Sequence, residues 1–202
     1  MRIPFALAAA ALLVAAAPQA ARDWRTNASV VPASGAFVAG NPAAPVKQVE
    51  YLSFTCSHCA DFHSETDPAI KTDYLDTGKA KLILREFPFD PRALGAFMLA
   101  RCAGDDKRTA MVDVLFSEQT TWATAQNASI ELLKIAQLAG MTQDQFTACL
   151  SNTELQGQIV AVQKAGQDQF GVSATPTFFI NGDRYAGAMS ADQMAAVIES
   201  HL

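Results

Sequence analysis

Residues 49–59 read VEYLSFTCSHC, an apolar run typical of a buried strand that ends in a Cys-x-x-Cys pair, Cys56 and Cys59. If a helix follows this strand, the sulfur of Cys56 lies at the helix N-terminus, where unpaired backbone N–H groups and the positive end of the helix dipole stabilise a thiolate. His58 lies between the two cysteines and can add a positive charge beside the same sulfur. Because the thiolate is the species that attacks and leaves in disulfide exchange, the stretch indicates dithiol–disulfide chemistry.

A Cys-x-x-Cys pair also occurs in zinc sites, in haem attachment sites and in structural disulfides. A zinc site needs a second pair of ligands at similar spacing, and the other cysteines, Cys102 and Cys149, lie far apart in sequence, so we expect no metal. Haem attachment needs a histidine directly after the second cysteine, where Ala60 stands. A structural disulfide stays open as an alternative, but so short a loop closes a strained bond, and strained disulfides are usually the labile ones.

The N-terminal segment has the layout of a secretory signal peptide. Arg2 gives a short positive start, an apolar run extends from Phe5 to Ala17, and small residues follow up to Ala21. The run is too short to span a bilayer as a helix. We therefore expect residues 1–21 to be a signal peptide and the protein to be periplasmic, with an uncleaved anchor as the alternative. Disulfides persist in such an oxidising compartment.

The composition restricts the classes of function. The chain has 202 residues, half of them hydrophobic, which suits one domain or one domain with an insertion. Its formal net charge is −5 and no block of Lys or Arg stands out, so we expect no nucleic-acid partner. We also expect no cofactor.

Strand and helix signals alternate along the chain as in an α/β fold with a mixed sheet. The predicted elements are an edge strand at 36–38, strands at 46–54 and 80–87, a helix at 59–76 kinked at Pro68, a helical block at 92–170, strands at 177–180 and 183–186 joined by an Asn-Gly turn, and a final helix after Ser190. Capping boxes are predicted to begin at Thr142, Ser151 and Ser190.

A second motif, Ala174-Thr175-Pro176-Thr177, opens the strand at 177–180, where a proline does not interrupt the ladder. Together with the Cys-x-x-Cys pair it resembles the thioredoxin fold, in which this proline is cis and packs against the active-site disulfide. The helical block, the export signal and His58 are similar to features of the DsbA-like thiol:disulfide interchange proteins of the bacterial periplasm. The resemblance covers about residues 36–202.

The resemblance implies a role for each matching residue. Cys56 corresponds to the exposed nucleophilic cysteine, Cys59 to the buried resolving cysteine and His58 to the histidine of the dipeptide between them. Thr175 and Pro176 match the cis-proline loop, beside which the substrate backbone is expected to pair.

Glu50 lies where the family carries a buried acid that assists proton transfer at the second cysteine. Its apolar neighbours on the strand make burial plausible, and burial would raise its pKa. The alternative is a solvated strand residue.

The resemblance also implies an inserted helical domain at 90–151, which divides a thioredoxin-like domain into residues 22–89 and 152–202. Cys102 and Cys149 both fall in the insertion. We expect a structural disulfide between them, which would close a loop of about 47 residues and stabilise the protein by at most about 4 kcal/mol. The alternative is a pair of separate, reduced thiols.

These features favour a monomeric oxidant that donates its disulfide to reduced secreted proteins and is recharged by a DsbB-like, quinone-linked membrane partner, as the resemblance implies. Thr175 stands where the enterobacterial oxidant has Val, and Thr also occurs there in periplasmic isomerases, so an isomerase or reductase stays open. The short segment before the first strand argues against the isomerases, which carry a separate dimerisation domain. The rival class is a redox-inert binding or chaperone module of the same fold.

Overall fold

The computed structural model of the protein describes residues 37–202, so the predicted signal peptide lies outside the described residues. Five strands form one sheet: β1 (Phe37–Gly40), β2 (Val46–Leu52), β3 (Ala80–Glu86), β4 (Thr177–Ile180) and β5 (Asp183–Ala186). Across the sheet the order is β1-β3-β2-β4-β5, with β2 and β3 parallel and the other pairs antiparallel. The central strand β2 therefore ends between β3 and β4, directly before the Cys-x-x-Cys pair.

The helix that follows Cys56 is divided into segments. α1 (Ser57–Glu65) ends at Thr66, α2 (Asp67–Ile70) begins with Pro68 in its first turn, and a π-helical turn (Lys71–Leu75) completes the segment. The predicted kink at Pro68 is thus a break two residues earlier, at Thr66, because a proline lacks the N–H that an interior position needs and is tolerated in the first turn. The Thr66 hydroxyl donates to the Met189 carbonyl at 2.9 Å and fixes the break.

The segment between β3 and β4 contains helices and no strand, and its last helix follows the predicted insertion at 90–151. Its elements are α3 (Pro91–Cys102), α4 (Asp105–Ser117), α5 (Gln119–Ala123), α6 (Ala128–Leu138), α7 (Gln143–Leu150) and α8 (Thr153–Phe170), and α9 (Ala191–Glu199) follows β5. None of the helices in residues 37–202 is long and apolar enough to cross a membrane.

Two of the three predicted capping boxes are confirmed. The Thr142 and Ser190 hydroxyls each accept a hydrogen bond from the backbone N–H of the third residue of their helix, a Gln, whose side-chain oxygen accepts one from the backbone N–H of the cap residue. The box predicted at Ser151 is wrong, because Ser151 is the C-cap of α7 and the N-cap of α8 is Asn152, whose side chain accepts from the backbone N–H of Leu155. A carboxamide one residue later satisfies the same orphan donor.

The apolar core lies on both faces of the sheet. On one face, α1, α2 and α9 pack on β2 through residues such as Phe62, Ile70 and Met194, and this core continues into the insertion through Phe54 and Phe97. On the other face, α8 crosses β2 so closely that a Cβ on Gly166 would lie 2.5 Å from the Tyr51 ring. The topology is that of a thioredoxin fold with a mixed sheet and inserted helices, as the sequence predicted.

Candidate active site

Cys56 lies at the N-cap of α1 and its side chain is half-buried. The pKa of its thiol is lowered to about 5, first by a hydrogen bond from the Cys59 thiol, then by Thr175 and by the backbone N–H groups of Cys59 and His58, while burial opposes the change. A thiol at this pKa is a thiolate at neutral pH, ready to attack and to leave.

Cys59, one turn along α1, is 0 % exposed and faces the core. Burial raises the pKa of its thiol strongly, and the hydrogen bond to Cys56 and the charge of Glu50 act in the same direction. The structure holds both cysteines as free thiols. The pair is therefore asymmetric, with one thiolate at the surface and one proton-holding thiol beneath it.

The cis-proline loop lies against the reactive sulfur. The Thr175–Pro176 peptide bond is cis, and Cys56 Sγ donates to the Thr175 carbonyl at 3.3 Å. The antiparallel pairing of β2 with β4, with Tyr51 opposite Thr177, brings these residues together across the sequence. The buried Thr175 hydroxyl makes no close hydrogen bond within the described residues, but it is near enough to Cys56 to help lower the pKa of that thiol, so it is available to a thiolate or to a substrate group.

Glu50 is buried in the sheet beneath the dithiol, with 4 % of its surface exposed. Its pKa is raised well above the ordinary value by burial first, and then by the charges of Asp67 and Cys56. A carboxyl whose pKa is raised holds its proton to higher pH than an ordinary carboxyl does, and it can pass this proton to a neighbouring thiolate. The alternative, in which Glu50 is a solvated strand residue, is wrong because its side chain is buried.

The imidazole of His58 points to solvent and is 76 % exposed, with Nδ1 at 3.8 Å from Asp61 Oδ2. The contribution of His58 to the low pKa of Cys56 comes through its backbone N–H. An exposed imidazole beside a carboxylate is a weak electrostatic neighbour, because water screens its charge.

Cys102 and Cys149 are joined by a disulfide, with a Cα–Cα distance of 6.2 Å. The bond links the end of α3 to α7 in the core of the insertion, and Cys149 is buried.

In the described residues, no group of three or more His, Cys, Asp or Glu side chains is arranged to hold a metal ion.

Sequence reasoning missed Gln119, the first residue of α5. Its side-chain amide donates to the Phe54 carbonyl at 2.8 Å and to the Cys56 carbonyl at 2.9 Å, so the insertion holds the loop that carries the nucleophile. On the same side, the Thr55 hydroxyl donates to Asp90, the N-cap of α3, at 2.6 Å. No local pattern marks Gln119, because its partners are carbonyl groups far away in the sequence.

This geometry places the protein in the class of thioredoxin-fold dithiol proteins. A family profile described as thioredoxin matches residues 33–200. The solved structure of α-DsbA1 from Wolbachia pipientis is 31 % identical, with a TM-score of 0.79 over 86 % of this chain and 94 % of that one. The chain therefore belongs to the thioredoxin family, among its DsbA-like proteins.

Other relatives are more distant in length or in sequence. A protein from Rickettsia conorii that bears the provisional name protein-disulfide oxidoreductase is 34 % identical over 82 % of this chain, which spans only 60 % of that relative's length. BdbD from Bacillus subtilis shares the fold, with a TM-score of 0.74 at 21 % identity over 83 % of this chain and 92 % of that one.

Proposed function

We propose that this protein is a thiol:disulfide oxidoreductase that donates the Cys56–Cys59 disulfide to reduced proteins. The observation that carries the proposal is the split between the two thiols, with the pKa of Cys56 lowered to about 5 and that of Cys59 raised by burial. A stabilised Cys56 thiolate favours the reduced form of the pair, and this makes the disulfide a strong oxidant. After the protein donates its disulfide, its Cys56–Cys59 pair is reduced, which is the form that the stabilised thiolate favours.

The reaction proceeds from the oxidised pair in two exchanges. A substrate thiolate attacks Cys56 Sγ, the Cys56–Cys59 bond breaks, and Cys59 leaves as a thiolate that takes one proton. A second substrate thiolate attacks the substrate sulfur of the mixed disulfide and releases Cys56 as a thiolate. The substrate loses two electrons and two thiol protons, and the protein gains two electrons and keeps one proton on Cys59.

The residues around the dithiol take distinct parts in this scheme. Cys56 is the nucleophile, Cys59 resolves the mixed disulfide during reoxidation, and Glu50 exchanges the proton of Cys59. The substrate backbone pairs beside Thr175 and Pro176, where the loop lies against Cys56 Sγ.

The cellular setting is part of the proposal. The signal-peptide layout of residues 1–21 supports export to the periplasm, where reduced secreted proteins would be the substrates. A DsbB-like, quinone-linked membrane protein would restore the disulfide, and the protein would act as a monomer. The likeness to α-DsbA1 from Wolbachia pipientis supports this setting.

A second candidate, disulfide isomerase or reductase, is favoured by one observation. The Thr175 hydroxyl is buried beside Cys56 without a described partner and can donate to a sulfur, which changes the balance between the dithiol and the disulfide. A redox-inert binding or chaperone module would need no low-pKa thiol at Cys56.

The test is the reduction potential of the Cys56–Cys59 pair, measured by equilibration with reduced and oxidised glutathione and alkylation of the free thiols. An oxidant is expected near the value of about −120 mV known for DsbA, and a reductase near the value of about −270 mV of thioredoxin. A potential near the thioredoxin value would show that the protein is a reductase and not an oxidant. A pair that does not exchange with glutathione would show that the protein is a redox-inert binding module.

A further inference from the structure

A cavity of about 120 Å³ lies on the face of the sheet opposite α8, between β2, α1, α2 and α4. Glu50 lines its inner end, and His63, Asp67 and Asp113 line it toward the surface, with Lys71 and Asp76 at its side. A cavity of this volume has room for several waters, since one water needs only about 10–15 Å³ of such space. Most of its lining is apolar, so the waters would lie along the side that carries the carboxyl groups and the imidazole.

One buried polar atom of the cavity lining, Asp67 Oδ1, makes no hydrogen bond within the described part of the chain. The same holds for both amide atoms of Gln48, which does not line the cavity but lies two residues before Glu50 on the same face of β2. Buried polar groups without a protein partner usually bind ordered water. These atoms therefore support a hydrated path that reaches Glu50.

The side chains of Asp113, His63 and Asp67 form a series of decreasing exposure that runs from solvent toward the buried Glu50 carboxyl. Asp113 is 58 % exposed, and its Oδ1 lies 3.1 Å from His63 Nε2. His63 Nδ1 lies 3.7 Å from Asp67 Oδ2, and both side chains are about one-fifth exposed. The His63 ring packs on Phe116 with a centroid distance of 4.8 Å, so its two nitrogens are held toward the two carboxylates.

Five charged or titratable groups face Asp67 from the surrounding elements: Glu50 on β2, His63 on α1, Lys71 and Asp76 on the π-helical turn, and Asp113 on α4. Burial raises the pKa of the Asp67 carboxyl, the charge of His63 opposes this change, Asp113 adds to it and Lys71 opposes it. Asp67 and Glu50 also interact through their charges. Asp67 is thus poised to exchange protons with both neighbours in the series.

We infer that His63 and Asp67 are positioning residues for a proton path that runs from Asp113 at the surface through the hydrated cavity to Glu50. The inference rests on the proposed function, and the path is the route by which the proton for Cys59 moves between solvent and Glu50. When Cys59 leaves as a thiolate, Glu50 gives it a proton and becomes a carboxylate. Asp67 and His63 then return a proton from solvent to Glu50, and the path runs in reverse when the dithiol is oxidised again.

The proton supply matters because an unprotonated Cys59 thiolate can attack the mixed disulfide and expel the substrate. A slow supply would therefore lower the net rate at which the Cys56–Cys59 disulfide is reduced. Neither His63 nor Asp67 contacts Cys56, so their substitution leaves the hydrogen bonds that stabilise the Cys56 thiolate in place.

The experiment mixes the oxidised full-length protein with dithiothreitol, quenches with acid and counts free thiols by alkylation, from pH 5 to pH 8. The variants are Asp67→Asn and His63→Gln, and Glu65→Gln is the matched control, a carboxylate-to-amide change at an exposed site on α1 away from the cavity. Both path variants are expected to be reduced about tenfold more slowly at pH 7, which is less than the roughly 100-fold low end for a direct general acid, because Glu50 still supplies the first proton. The control should equal the unaltered protein.

Rescue by formate distinguishes the loss of a proton path from a structural defect, because formate can replace the missing carboxylate but cannot repair the fold. It is small enough to enter the cavity, and at constant pH and ionic strength it should restore most of the rate of Asp67→Asn. Rates of both path variants within twofold of Glu65→Gln, or a loss that formate does not restore, would overturn the inference. Failure of the unaltered protein to react with dithiothreitol would instead overturn the proposed function, so the two failures are distinct.

Discussion

The two cysteine pairs of this protein differ in their surroundings and in whether their sulfurs are bonded to each other. Cys56 and Cys59 are separated by two residues, lie at the start of one helix and are free thiols. Cys102 and Cys149 are separated by 47 positions, come from two helices of the insertion and are joined. The first pair has a thiolate-stabilising helix terminus, a cis-proline loop and a buried carboxyl around it, whereas the second is packed among apolar side chains.

The difference teaches that the surroundings of a sulfur, more than the presence of a cysteine pair, decide between reaction and structure. A disulfide that closes a long loop restricts the unfolded chain and so stabilises the fold. A dithiol whose anion is stabilised on one side and suppressed on the other is suited to exchange. Each prediction below changes one of these surroundings.

The largest effect is expected from Cys56→Ser, which removes the nucleophile. The variant should lose the ability to oxidise a reduced two-cysteine peptide, as followed by chromatography of the peptide. The matched control is the double variant Cys102→Ala/Cys149→Ala, which should keep most of the activity. If the double variant were as inactive as Cys56→Ser, the division of labour between the two pairs would be wrong.

Removal of the second pair should act on stability. In Cys102→Ala/Cys149→Ala, the free energy of unfolding is expected to fall by roughly 2–4 kcal/mol, because the unfolded chain gains the freedom of the opened loop. Urea unfolding monitored by circular dichroism measures the change. Equal urea midpoints for the variant and the unaltered protein would show that the bond does not restrict the unfolded chain.

Glu50→Gln should alter stability in a manner that depends on pH. The pKa of Glu50 is raised in the folded protein, so its carboxyl costs nothing below the unfolded value of about 4.3 and destabilises progressively as the pH rises toward the folded value. The variant should therefore be more stable than the unaltered protein at pH 7, by roughly 1–3 kcal/mol, the usual cost of a buried polar group without a partner.

Urea unfolding at pH 4 and at pH 7 tests the sign of this effect. The difference between Glu50→Gln and the unaltered protein should be small at pH 4, where most of the carboxyl is protonated in both states, and larger at pH 7. A difference of the same size at both values would assign the effect to packing instead of titration.

The smallest effect is expected from His58→Ala. A cation beside Cys56 would favour the thiolate, but the exposed imidazole of His58 should contribute at most about 1 kcal/mol, or about 20 mV in the reduction potential. The potential should become more negative by no more than this amount, as measured against glutathione. A larger shift would mean that the imidazole reaches Cys56 in solution, and the fold should be unchanged in either case.

The sequence predicted the elements whose signals are local. The bounds of β4 and β5 agree with the prediction because the Asn181-Gly182 turn fixes their register, and Asn181 takes the positive φ of 46° that such a turn requires. The position of Cys56 at a helix N-terminus also follows from a strand that ends just before it. The break at Thr66 and the cap at Asn152 were missed because neighbouring residues offer equivalent local solutions.

By itself, therefore, the sequence determined the order of strands and helices and the placement of a dithiol at a helix start, since these depend on periodicity, caps and turns. The thioredoxin fold followed from the resemblance of its two motifs to a known family. Only the tertiary structure decided which distant groups surround the sulfurs: the Thr175 carbonyl, the Gln119 amide, the buried Glu50 and the series from Asp113 to Asp67. These contacts depend on strand register and on how helices cross the sheet. A side chain's burial, and with it its pKa, is set by that packing and not by its neighbours in sequence.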